Sequence, residues 1–157
     1  MTRPRIAIFG VSPASLLLGR ACCLADTAPV GLYDADDLSA LKGALFLGIC
    51  ARKEPQQLNP PSNPLQVAII GNADSAEGLA RLDPKENLLI ISLFPYVPTE
   101  TLANGSFCLA LPSQTDLSTS EIAATVPEIS FRLEGDETAR QRAHQFLSGL
   151  SPSIACH

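Results

Sequence analysis

The stretch RIAIFGVSPAS (Arg5–Ser15) decides how the rest of the chain is read. An unbroken apolar run, Ile6 to Phe9, ends in Gly10, and an apolar helix-like segment, PASLLLGRACCLAD (13–26), follows directly. A short continuous apolar run bounded by glycine reads as a strand buried on both faces, as in a parallel sheet covered by helices. The same pattern returns outward along the chain: PVGLYD (29–34), ALFLGIC (44–50), LQVAIIG (65–71), NLLIISL (87–93), SFCLAL (106–111) and EISFRLEG (128–135) read as strands. Between them DDLSALKG (36–43), ADSAEGLARL (73–82), PTETLA (98–103) and STSEIAATV (118–126) read as helices, and DETARQRAHQFLSGL (136–150) is the clearest amphipathic one. Strand–helix alternation predicts an α/β fold, a doubly wound and mostly parallel Rossmann-like sheet with helices on both faces. The prolines at 55, 60, 61 and 64 make ARKEPQQLNPPSNP (51–64) a loop without regular structure. The 157 residues are read as one domain, with no internal repeat.

Composition narrows the partners. A net charge of −5, with eleven scattered Lys and Arg, argues against nucleic acid or an anionic membrane surface. No apolar stretch reaches the roughly 18 residues that span a bilayer, and MTRPRIAIFG lacks the apolar core of a signal peptide. The five cysteines, 22, 23, 50, 108 and 156, have no C-x-x-C spacing and an odd count, so they read as free thiols in a reducing, cytoplasmic setting. No metal is expected.

The turn Gly10-Val11-Ser12-Pro13-Ala14-Ser15 occupies the place of the dinucleotide fingerprint G-x-G-x-x-G. There the first glycine makes the tight turn, the second admits the pyrophosphate to the backbone and the third lets helix and strand pack closely. Gly10 keeps the first role, Ser15 is small enough for the third, and Ser12 places a Cβ where the phosphates would lie, a degenerate motif. Ser12 followed by Pro13 also matches an N-cap and first helical residue, so its hydroxyl either caps the helix or turns outward to a phosphate. Asp34 closes the second strand 24 residues after Gly10, where a carboxylate accepts from the adenosine ribose hydroxyls and favours NAD over NADP. The alternative is a solvated acidic loop with a helix cap at Asp36 or Asp37. Gly71 and Asn72 end another strand at the ligand edge, with Asp74 or Ser75 to cap the next helix. Asn72 is the polar residue best placed to touch a ribose or nicotinamide, although Gly-Asn is also ordinary turn chemistry.

RIAIFGVSPAS, VGLYD and VAIIGNAD together resemble the N-terminal NAD(P)-binding domains of the prephenate dehydrogenase, pyrroline carboxylate reductase and ketopantoate reductase superfamily. ISFRLEGDETARQRAHQFLSGL resembles the strand and helix that close that domain, with Gly135, Asp136 and Gly149 at the matching positions. The resemblance implies NAD or NADP as cofactor, and a catalytic helical domain that would begin near SPSIACH. That domain would come from a separate partner chain, or the chain would pair as a homodimer. Leu111-Pro112 stands where several relatives carry His-Pro, so that histidine is absent.

No complete catalytic constellation is present. His144 lies on the closing helix and His157 is expected to be mobile, whereas Ser92, Tyr96 and Thr99 either orient a substrate or belong to a rigid turn. Three readings remain open: a domain related to NAD(P)-dependent oxidoreductases, a non-catalytic nucleotide-sensing or protein-interaction module, and a CoA-binding domain, whose opening also reads strand, Gly-x-Ser, helix.

Overall fold

The computed structural model describes residues 4–82, 87–95, 106–113, 117–118, 122 and 126–157. Seven strands form one sheet among them: β1 (Ile6–Phe9), β2 (Gly31–Tyr33), β3 (Val67–Ile70), β4 (Leu89–Ser92), β5 (Ser106–Pro112), β6 (Ile129–Gly135) and β7 (Ile154–Cys156), in the order β2-β1-β3-β4-β5-β6-β7. Every neighbouring pair is parallel except β5–β6. The doubly wound, mostly parallel expectation therefore holds, with an antiparallel seam at Cys108–Pro112 against Phe131–Gly135.

Burial on both faces explains the continuous apolar strands. Ile6 and Ile8 of β1 point into one core layer with α1 (Pro13–Leu24), α2 (Asp37–Leu47) and α4 (Glu137–Leu150). Ala7 and Phe9 point into the other, with Tyr33, Leu58, Ala76 of α3 (Ala73–Ala76) and Leu79. The buried positions of α4, Ala139, Ala143, Leu147 and Leu150, repeat at helical spacing and form its inner stripe. Asp136 caps it, accepting from the Ala139 N–H at 2.8 Å, and Arg142 ties it to the sheet through Ser106 Oγ and Asn87 O, both at 2.9 Å.

Four expectations change. The segment 44–50 is not a strand: α2 continues through Leu47 and stops at Gly48, in the left-handed region at φ 73°. An apolar run this short fits either period, and packing decides it. Ala40, Gly43, Ala44 and Leu47 face inward, with Gly43 so close that a Cβ would lie 2.8 Å from Val11 Cγ2. The proline-rich stretch contains a 3-10 turn, Pro55–Leu58, with Pro55 at its start and Leu58 buried beside Gly31. The helix expected over 73–82 is α3 followed by a 3-10 turn, Glu77–Arg81. Beyond Leu150, Ile154–Cys156 adds strand β7, and His157 is pinned rather than mobile: its N–H donates to Phe131 O at 3.0 Å and its carbonyl accepts from Leu133 N–H at 2.7 Å. The helix read over 98–103 lies outside the described residues, as does most of 118–126.

All five cysteines are free. Burial pushes the Cys22 thiol up to about 12, and burial also raises Cys23, Cys108 and Cys156. Cys50 alone is exposed. Because the thiolate is the reacting form, a chromogenic disulfide reagent at pH 8 should give one fast equivalent, lost in Cys50→Ser, with Cys22 untouched until the chain unfolds. A fast phase that survives Cys50→Ser would place the reactive thiol elsewhere.

Candidate functional site at the β1–β3 switch point

From β1 the chain moves outward to β2, then returns to the other side of β1 for β3. Such reversals open a crevice at the carboxyl ends of the strands, where α/β sheets bind ligands. Gly10, Asp34 and Asn72 follow the ends of β1, β2 and β3 respectively, so the topology gathers three residues that are far apart in sequence.

Gly10 turns with φ 103°, a conformation that favours glycine. A Cβ there would lie 2.8 Å from Asn72 Cγ. Gly71 approaches more closely still: its Cβ would stand 2.1 Å from Gly10 O and 2.8 Å from Ser15 Oγ. The two strand ends thus cross with no room for a side chain at either position.

Ser12 caps α1. Its Oγ accepts from the Ser15 N–H at 3.2 Å, and Ser15 Oγ reciprocally accepts from the Ser12 N–H at 2.8 Å, a capping box closed by two serines. Ser15 is fully buried and its hydroxyl lies 2.8 Å from Gly10 O, in donor range, so it fastens the helix to the turn. Pro13 takes the first helical position and contributes no N–H, and Ala14 follows it, buried.

Asp34 is 7% exposed, and both carboxylate oxygens are engaged. Oδ2 accepts from the Val11 N–H at 2.7 Å and from Asn72 Nδ2 at 3.0 Å, while Oδ1 accepts from the Asp36 N–H at 2.8 Å. The solvated-loop alternative therefore fails for Asp34 but holds one step on. Asp36 caps α2 through the Ser39 N–H at 2.9 Å and hydroxyl at 2.7 Å, and those bonds hold its carboxyl below the usual carboxylate range. Asn72, rather than Asp74 or Ser75, caps α3, its Oδ1 accepting from the Ser75 N–H at 2.9 Å. Ser75 is buried instead and accepts from the Ala35 N–H at 3.1 Å. Asn72 Nδ2 also donates to Val11 O at 3.2 Å.

Gly10, Asp34 and Asn72 do lie together at this edge, as strand–helix alternation implies, but their bonding to one another is not legible in the residues alone. The only signal for it is that Asp34 and Asn72 are complementary side chains at the ends of the strands flanking β1. Ser92 turns back on its own loop, its hydroxyl donating to Phe94 O at 2.8 Å, whereas Tyr96 and Thr99 lie outside the described residues. His144 and His157 line a separate groove of about 420 Å³ with Arg140 and Leu133, away from the switch point. Among the described residues no three His, Cys, Asp or Glu side chains are grouped to hold a metal ion, and no helix is long and apolar enough to cross a membrane.

The architecture matches solved structures. A provisionally assigned NADP oxidoreductase from Bacteroides fragilis superposes with a TM-score of 0.75 at 19% identity, over 99% of this chain and 61% of that one. The fold is Rossmann-like. Prephenate dehydrogenase from A. aeolicus, in complex with hydroxyphenyl propionate and NAD+, superposes at 0.66 with 11% identity, over the whole of this chain and 60% of that one. Plasmodium falciparum pyrroline carboxylate reductase with NADP bound superposes at 0.60 with 11% identity, over the whole chain and 58% of that one. The chain thus spans about three-fifths of these proteins, two of which carry names its motifs resemble. No family model and no curated protein matches the sequence.

The crossing of Gly10 and Gly71 makes a stability prediction. Gly71→Ala drives a methyl into a backbone oxygen, so thermal or denaturant unfolding should show a loss of about 3 kcal/mol. Gly149→Ala, where a Cβ meets nothing within 4 Å, is the control and should be neutral or slightly stabilising. Equal behaviour of the two variants would contradict the close crossing.

Proposed function

We propose that the chain is a dinucleotide-binding domain related to NAD(P)-dependent oxidoreductases, taking NAD in preference to NADP. The observation that carries this reading is the buried carboxylate of Asp34 at the end of β2, beside the Gly10 turn and at the switch point. Gly10 to Ser15 and the start of α1 would face the pyrophosphate, with the helix N-terminus favouring negative charge. Asp34 would accept from the adenosine ribose: Oδ1 carries one hydrogen bond and keeps acceptor capacity. The same charge would repel a 2′-phosphate. Gly71 and Asn72 would border the nicotinamide side. Nicotinamide, when bound, supplies hydride chemistry. The residues completing a catalytic site would belong to a further helical domain or partner chain.

A second reading, a non-catalytic sensing or interaction module, is favoured by one feature. The N–H groups of Val11, Ser12 and Ser15 are each held by the chain's own side chains. Calorimetric titration with NAD, NADP and CoA in parallel separates the readings. Micromolar NAD with weaker NADP is the expected result. Tight CoA binding would replace the dinucleotide reading, and no binding by any of the three would leave the interaction module.

Two substitutions refine it. Asp34→Ala should weaken NAD by about tenfold or more, the scale of a charge-assisted hydrogen bond, and narrow the NAD-to-NADP ratio. An unchanged ratio would remove Asp34 from the ribose. Ser12→Gly costs only a few tenths of a kcal/mol as a cap, about what is expected of that exchange, and should raise dinucleotide affinity by removing the Cβ. Unchanged affinity would mean that crowding at Ser12 does not limit binding.

A further inference from the structure

Asp34 follows β2 and Asn72 follows β3, and β1 lies between those strands. The 3.0 Å bond from Asn72 Nδ2 to Asp34 Oδ2 therefore passes over the carboxyl end of β1, beside the Gly10 turn. The amide orientation is fixed by its surroundings. Nδ2 faces two acceptors, Asp34 Oδ2 and Val11 O, while Oδ1 faces a donor, the Ser75 N–H. A flipped amide would set oxygen against oxygen twice. The side chain also lies directly over Gly10, where a Cβ would come within 2.8 Å of Asn72 Cγ.

We infer that Asn72 and Asp34 form an autoinhibitory clasp that bridges the switch-point crevice and controls access to the Gly10 turn. Asn72 is a positioning residue here. It holds the Asp34 carboxylate on the Val11 N–H, so the chain's own anion occupies a donor of the anion-binding turn. A dinucleotide reaches the turn only when the Nδ2 bonds to Val11 O and Asp34 break together. The apparent affinity is then the intrinsic affinity reduced by the open fraction. The inference rests on the dinucleotide reading for its ligand, but the clasp has a signature of its own in the Val11 amide.

Asn72→Ser is the informative variant. Serine ranks with asparagine as an N-cap, so the bond to the Ser75 N–H is retained, but the shorter side chain cannot reach Asp34. Amide hydrogen exchange on the intact chain reads the clasp: the Val11 amide should exchange at least about tenfold faster in Asn72→Ser, while Ile8 and Ile69 in the core keep wild-type rates. Unchanged Val11 exchange, or equal acceleration at Ile8 and Ile69, would overturn the clasp. Titration with NAD on the same samples reads access: affinity should rise by about tenfold or more. Faster Val11 exchange with measurable but unaltered NAD affinity would overturn the gating role and leave the dinucleotide reading intact. Faster exchange with no NAD binding by either protein would overturn the dinucleotide reading, and with it NAD as the gated ligand, while supporting the clasp as the element that closes the turn.

Discussion

The contact that the site depends on is the near-collision of two backbones, at Gly10 and Gly71. With β1 and β3 paired in register from Ile6↔Val67 to Phe9↔Ile70, their ends are forced together, and the space a Cβ of Gly71 would need is filled by Gly10 O. The Gly71 N–H, donating to Phe9 O at 2.8 Å, locks that approach. Once the strands end so close together, the following residues have little freedom. Ser15 must be small, Asn72 must lie over Gly10, and the first turn of α1 must start where Ser12 can cap it.

Buried polar groups then have to be satisfied within the protein, because an unpaired one costs about 1–3 kcal/mol. The Asp34 carboxylate does this economically for the three strand ends. It takes N–H groups from Val11 after β1, Asp36 after β2 and the Asn72 side chain after β3. The same bonding that stabilises the edge therefore engages the Val11 and Asp36 N–H groups and the Asn72 amide within the chain itself. This network of internal bonds distinguishes the edge from a bare glycine-rich turn.

Farther along the sheet, packing governs. The antiparallel β5–β6 seam reverses the sheet, and α4 lays its Ala139–Ala143–Leu147–Leu150 stripe on the face that α1 also covers. Gly135 turns at φ 151° into the Asp136 cap, and its Cβ would meet Phe107 O at 2.9 Å, so the start of α4 is fixed against β5. The exposed apolar residues Leu38, Leu41 and Leu45 lie on the outer side of α2 (58%, 52% and 73% exposed), opposite its buried Gly43 face.

Much of this was legible in the residues. Unbroken apolar runs such as Ile6–Phe9 and Val67–Ile70 state that both faces are covered, and Ser12-Pro13 and Asp136 announce helix starts because their side chains and φ preferences act locally. Gly10, Asp34 and Asn72 could be assigned to one sheet edge because strand–helix alternation dictates parallel strands with a common carboxyl end. Where local signals tie, the sequence was silent. ALFLGIC suits either a helix or a strand, and burial of Ala44 and Leu47 on the inner face shared with Ala40 and Gly43 goes with a helix up to Gly48. Strand β7 is only three residues long and exists because Ile129 to Phe131 of β6 offer it a parallel ladder. The cap of α3 fell to Asn72 rather than Asp74 because the chain leaves β3 at the Gly10 crossing. The sequence by itself determined the layers and the placing of Gly10, Asp34 and Asn72 at one sheet edge, since burial pattern and capping are encoded within a few residues. Tertiary structure alone decided that Asp34 and Asn72 meet across β1, because a hydrogen bond between residues 38 apart exists only once the strand order has placed their side chains together.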